Sequence, residues 1–169
     1  MKRLFRPRRR SPHRTLLAWN SGAEHPAGAA RQLLRHFLAE LRVDDAQIDD
    51  ALVMTSELVT NAVRHAQGPY ELRIRRTQAE VIVEVHDRTC HIPVMQRLPV
   101  EKLIPVQDHD RGSGADALLA RVTESGRGLG IVASLSVGCA GGRRTPTGKA
   151  MWFAVPTPSC EPTAQGGTP

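Results

Sequence analysis

Glu57 and Asn61 stand four residues apart in the run Ser56-Glu57-Leu58-Val59-Thr60-Asn61-Ala62-Val63-Arg64-His65. On a helix that spacing puts a carboxylate and a side-chain amide on one face. A carboxylate can orient or deprotonate a nucleophile, and an amide oxygen can ligate a hard cation such as Mg²⁺. Further along, the chain reads Glu124-Ser125-Gly126-Arg127-Gly128-Leu129-Gly130-Ile131. Glycines let backbone approach phosphates closely, and the start of a helix offers free N–H groups at its positive end. The combination points to nucleotide chemistry. Alone, the glycine run also reads as an ordinary turn. It is not a P-loop, since no Gly-Lys-Ser/Thr follows at the required distance, and it does not follow a strand as a dinucleotide fingerprint does.

Asp87 is the third such residue. It continues the Val81, Val83, Val85 parity of a strand, so it faces inward at the strand's end. An inward carboxylate needs a partner, because burying it unpaired costs several kcal/mol. A ligand amino group, such as that of adenine, would serve, and so would a turn capped by Asp87 itself. Cys90, His91 and His109 fit no metal-ligand spacing.

These groups must be held by a scaffold. The chain has 169 residues, 40% of them hydrophobic and 4% aromatic. One domain with an aliphatic core follows, which suits an α/β class. No apolar run is long enough to cross a bilayer. Three scattered cysteines form no framework, so the expectation is a soluble cytoplasmic protein with reduced thiols. The net charge is +6, and residues 1–14 carry seven of the positive charges with no acid, leaving −1 for the rest (6 − 7). That arm can touch nucleic acid or an acidic partner, or stay solvated.

The periodicity predicts a first strand over 14–19 and a helix over 27–41. The stripe of that helix is Ala30, Leu33, Leu34, Phe37, Leu38 and Leu41. Asp44 and Asp45 start a second helix that runs to His65, before the stop at Gly68-Pro69. Its apolar stripe is Ile48, Leu52, Thr55, Val59, Ala62 and Ala66, with Glu57, Asn61 and Arg64 opposite. Val53 and Met54 flank that polar side, as apolar wall beside a ligand pocket would. Tyr70–Thr77 and 81–87 read as an antiparallel hairpin. Residues 88–125 form a long polar loop or lid with one helical turn at 115–122. A helix over 127–135 and strands over 136–140 and 150–155 follow, around turns at Gly141-Gly142 and Thr147-Gly148. Residues 1–13 are expected to be a disordered basic arm, 14–157 the folded domain, and 158–169 a flexible tail.

Taken in order, the motifs resemble the ATP-binding domain shared by gyrase-type topoisomerases, histidine kinases and anti-sigma serine kinases. The nearest likeness is to the single-domain anti-sigma-factor kinase group of actinobacteria. Glu57 to His65 carries it, with Glu-Leu-Val-Thr-Asn-Ala. Asp87 with Thr89 and Pro93 carries it in the first box, and Gly126-Arg127-Gly128-Leu129-Gly130 in the second. The resemblance implies a Bergerat-type fold: a two-layer α/β (α+β) sandwich, with helices on one face of a mixed, mostly antiparallel sheet. It implies ATP and Mg²⁺ as cofactors. Asn61 would ligate Mg²⁺ and Asp87 would bond the adenine amino group, with Thr89 beside it. Glu57 would orient or deprotonate the attacking hydroxyl, and the segment Gly126, Arg127, Gly128, Leu129, Gly130 would hold the phosphates. The implied activity is a serine/threonine protein kinase acting on an anti-anti-sigma (STAS-type) partner, with a sigma factor as the further partner and a homodimer allowed. Two other readings stay open: a non-catalytic ATP-gated binding module, and a nucleic-acid-binding regulator using the arm. Arg88, Thr89, Cys90 and His91 stand where larger relatives have paired glycines. Gly148-Lys149-Ala150 lacks the hydroxyl residue that often follows the lysine position, which removes one adenine-side hydrogen bond.

Overall fold

The computed structural model describes residues 13–97 and 128–158. Most of the basic arm, the bulk of the expected lid with its helical turn, Gly126, Arg127 and the C-terminal tail lie outside the described residues. Five strands and three helices are described, in the order β1 (His13–Trp19), α1 (Pro26–Glu40), α2 (Asp45–His65), β2 (Tyr70–Arg76), β3 (Glu80–Asp87), α3 (Gly128–Leu135), β4 (Ala140–Thr145) and β5 (Gly148–Pro156). The strands form one sheet in the order β1-β2-β3-β5-β4. All four pairings are antiparallel, so the mostly antiparallel sheet contains no parallel pair among the described residues.

The helices form where their signals say. Asp44 caps α2 by accepting a hydrogen bond from the Ala46 amide at 3.1 Å, and Arg64 and His65 lie at the negative end of that helix. Ala30, Leu34 and Leu38 of α1 are buried, but Leu33 stands 41% exposed and leaves the expected stripe. Leu72 and Ile74 of β2, Val81, Val83 and Val85 of β3, and Met151, Phe153 and Val155 of β5 face the helices in one hydrophobic cluster. This is the two-layer arrangement of an α/β domain. Arg31 of α1 donates to Ser56 Oγ of α2 at 2.9 Å, tying the two long helices together.

Two expectations for the last third are corrected. Residues 136–138 are a turn rather than strand, because Val137 at φ 51 and Gly138 at φ 90 reverse the chain. Gly141 and Gly142 lie inside β4 rather than in a turn. The indole of Trp152 lies over Gly141, where an added Cβ would come within 3.2 Å of the ring. Among the described residues no helix is long and apolar enough to cross a membrane.

Candidate functional site

Glu57 lies in the middle of α2 and is 3% exposed. The wheel placed it opposite the core stripe, and it is. However, that side of α2 is a second packing surface, because α3 lies against α2 there. Met54 is buried on the same side, where it lines an apolar recess with Leu135 of α3 and Val155 of β5. Gly128, the first residue of α3, sits directly on the Glu57 carboxylate: a Cβ there would run into Glu57 Oε2. Glu57 Oε1 is buried without a hydrogen-bond partner among the described residues. Burial pushes the Glu57 carboxyl above the usual carboxylate range, and the nearby Arg64 charge pulls only partly against it. Burial without a full set of donors makes the ionised form costly, which is what raises the carboxyl.

Asn61 follows one turn later and is half-buried, with Thr60 half-buried and Arg64 exposed on either side. Leu129 is half-buried and Gly130 buried in the first turn of α3. The structure therefore brings Glu57 and Gly128 together; the remainder of the glycine run, Gly126 and Arg127, lies outside the described residues.

Asp87 is inward, as its parity requires, and 3% exposed. Its partner is one the sequence reading did not name. Lys149, directly opposite on β5, reaches Oδ2 at 2.8 Å and Oδ1 at 3.0 Å. Oδ1 also accepts from the Thr89 amide at 2.8 Å. Asp87 therefore caps its own turn, as one of the two readings had it, and also pairs with a lysine that neither reading named. Thr89 Oγ1 accepts from the Gln67 amide at 3.1 Å, and the Arg88 amide donates to Gln67 O at 2.9 Å. These bonds lash the exit of β3 to the chain just beyond α2. Gly148 makes the Asp87–Lys149 approach possible, since a Cβ there would collide with Asp87 O and the Arg88 backbone. Lys149 was findable: it shares the parity of Met151, Phe153 and Val155, all of which face the core.

A second charged cluster lies on the face of the sheet turned away from the helices. Glu84 accepts from His86 at 2.8 Å and from Arg143 at 2.8 Å. Among the described residues no group of three His, Cys, Asp or Glu could hold a metal ion, and Cys90 and Cys139 are exposed thiols.

A family model described as histidine kinase-like ATPase domain matches residues 22–155. A search of the curated proteins finds no match.

Proposed function

The chain belongs to the histidine kinase-like ATPase domain family, whose members are ATP-binding domains, and on that premise we propose that it is a serine/threonine protein kinase of the anti-sigma regulatory type. Its substrate would be an anti-anti-sigma protein of the STAS class, and phosphorylation would decide whether a sigma factor is held or released. ATP with Mg²⁺ supplies the transferable phosphoryl group when bound. The residues present fit it. Asn61 offers an amide oxygen for Mg²⁺ and Asp87 an acceptor for the adenine amino group. Gly128 and Gly130, with Gly126 and Arg127 before them, belong to the phosphate loop.

In this reading Glu57 accepts the proton of the attacking hydroxyl. The observation that supports it is the buried Oε1, which has no donor among the described residues. A carboxylate kept only for structure is normally paired, because leaving it unpaired costs free energy. One kept as a base needs an open acceptor and a pKa raised toward working pH. Thr89 acts one step removed, holding Asp87 and the Gln67 amide.

The test is single-turnover transfer from labelled ATP to the STAS partner. Glu57→Gln keeps shape and loses basicity, so transfer falls by at least about 10²-fold while ATP affinity stays near wild type. Because only the ionised carboxylate accepts a proton, wild-type transfer declines as pH falls through the raised Glu57 pKa. That acidic limb should lie above the usual carboxylate range and vanish in Glu57→Gln. Equal rates for the two proteins would remove Glu57 from the chemistry. No transfer from either, with ATP still bound, would leave the ATP-gated binding module as the function.

A further inference from the structure

The base end of the site holds a cation as well as an anion. Lys149 has a side chain 4% exposed and Asp87 one 1% exposed, at the end of a sheet face otherwise made of Val, Met and Phe. Stability alone is a poor reason for such a pair. Desolvating two charges costs about what their attraction returns, and apolar replacements of similar volume are often neutral or stabilising. The remaining hydrogen-bonding capacity of the pair is more informative.

An ammonium group has three N–H donors and a carboxylate about four acceptor positions. Two Lys149 donors are taken by Asp87 Oδ1 and Oδ2. Oδ1 takes the Thr89 amide in addition. One donor on Lys149 and one acceptor position on Asp87 Oδ2 then remain without partners among the described residues. Asp87 and Lys149, which carry them, are register partners across β3 and β5. Adenine presents the complement on its pairing edge: an amino donor at C6 beside an acceptor at ring N1. Guanine and hypoxanthine present the reverse, an oxygen at C6 beside an N1–H.

We propose that Lys149 is a specificity-determining residue that donates to adenine N1 while Asp87 accepts from the adjacent amino group, so that the ion pair reads the base as a unit. The inference rests on the ATP-binding reading above and deepens it. Lys149 then supplies the second adenine contact that Ala150, having no hydroxyl, does not. A misplaced guanine leaves both members facing like partners, the ammonium an N–H and the carboxylate an oxygen. The penalty of an unpaired buried group is then paid twice.

The experiment compares Mg²⁺-ATP with 1-deaza-ATP, which keeps the amino group but has C–H in place of N1, by calorimetry on the full chain. Wild type should bind the deaza analogue at least about tenfold more weakly, the loss expected for one hydrogen bond from a charged donor. Lys149→Met should bind ATP at that weaker level and no longer tell the two apart. If wild type binds both equally, Lys149 does not contact N1, although ATP binding itself stands. If wild type binds neither, the ATP reading fails and this inference goes with it. If Lys149→Met keeps the wild-type ratio, or binds ATP more tightly than wild type, the lysine is a structural or occluding partner of Asp87. Should Lys149→Met not fold, the double variant Asp87→Asn/Lys149→Met removes both charges together. It should then bind ATP and 1-deaza-ATP equally, and a retained preference for ATP overturns the proposal.

Discussion

Two polar side chains one turn apart on α2 have unlike surroundings, and the proposed division between binding and chemistry follows that difference. Glu57 is sealed under Gly128, whereas Asn61 remains half-buried. Asn61→Ala removes the amide from a mid-helix position where alanine is the better helix former by up to about 0.7 kcal/mol. Folding stability should therefore hold or rise slightly, while Mg²⁺-ATP affinity drops about tenfold or more. Calorimetry beside thermal denaturation checks both halves, and wild-type affinity would dismiss Asn61 as a ligand. At this scale the sequence was informative because periodicity fixes direction. Helical spacing put Glu57 away from the stripe, and strand parity turned Asp87 inward. The same parity applied to Lys149, but a lysine opening a strand reads as solvated until Asp87 is seen opposite it. The donorless oxygen of Glu57 was not legible at all, since it depends on what α3 lays over it.

Between elements, the contact of α3 with α2 controls the site. Gly128 opens α3 and has no room for a side chain, so the usual gain of up to about 1 kcal/mol from replacing a helical glycine by alanine should be reversed. Gly128→Ala should destabilise by roughly 1–3 kcal/mol through overpacking. In the double variant with Glu57→Ala the costs should fall short of the sum of the single ones, because the colliding carboxylate is gone. Urea denaturation of the four proteins measures this coupling, and strict additivity would show that the two residues do not meet. Helix and strand existence followed from local pattern, with boundaries shifted by a residue or two except at β4, which starts four residues later than expected. What pattern could not supply was the partner of each face. Val53 and Met54 signalled a second apolar side on α2 without saying that a helix covers it. Gly141-Gly142 carries turn chemistry, and only Trp152 on the neighbouring strand explains why the pair is extended.

Across the whole molecule, the outer face of the sheet is clasped by charge. Glu84 on β3 receives His86 from its own strand and Arg143 from β4, reaching over the intervening β5. Burial alone would raise the Glu84 carboxyl. The hydrogen bonds from His86 and Arg143 outweigh it and hold the group down from 4.5 to about 2. A depressed carboxylate stabilises the fold fully above its unfolded value, and that contribution is lost as pH falls through the folded one. Stability should therefore decline between about pH 4.5 and about pH 2. The amount is on the order of 2 kcal/mol, after allowing for water around the partly exposed Arg143. In Glu84→Gln this decline should be smaller, with lower stability at neutral pH. Denaturant midpoints measured across that range decide it, and an unchanged slope would mean other carboxylates govern acid unfolding.

The strand order also sets a sequence of events. Two hairpins, β2–β3 and β4–β5, close over three and two residues, and such local pairings form within microseconds. The β3–β5 seam joins them only after a long stretch of intervening chain has been brought round, and contacts of that separation are the slow ones. Asp87 and Lys149 sit on this seam, sixty-two residues apart in the chain. A newly made chain can thus hold both hairpins and still lack the Asp87–Lys149 pair. On the proposed reading, nucleotide selectivity arrives with this joint of the sheet, and ATP gripping both sides of it would act as a fastener of the folded state.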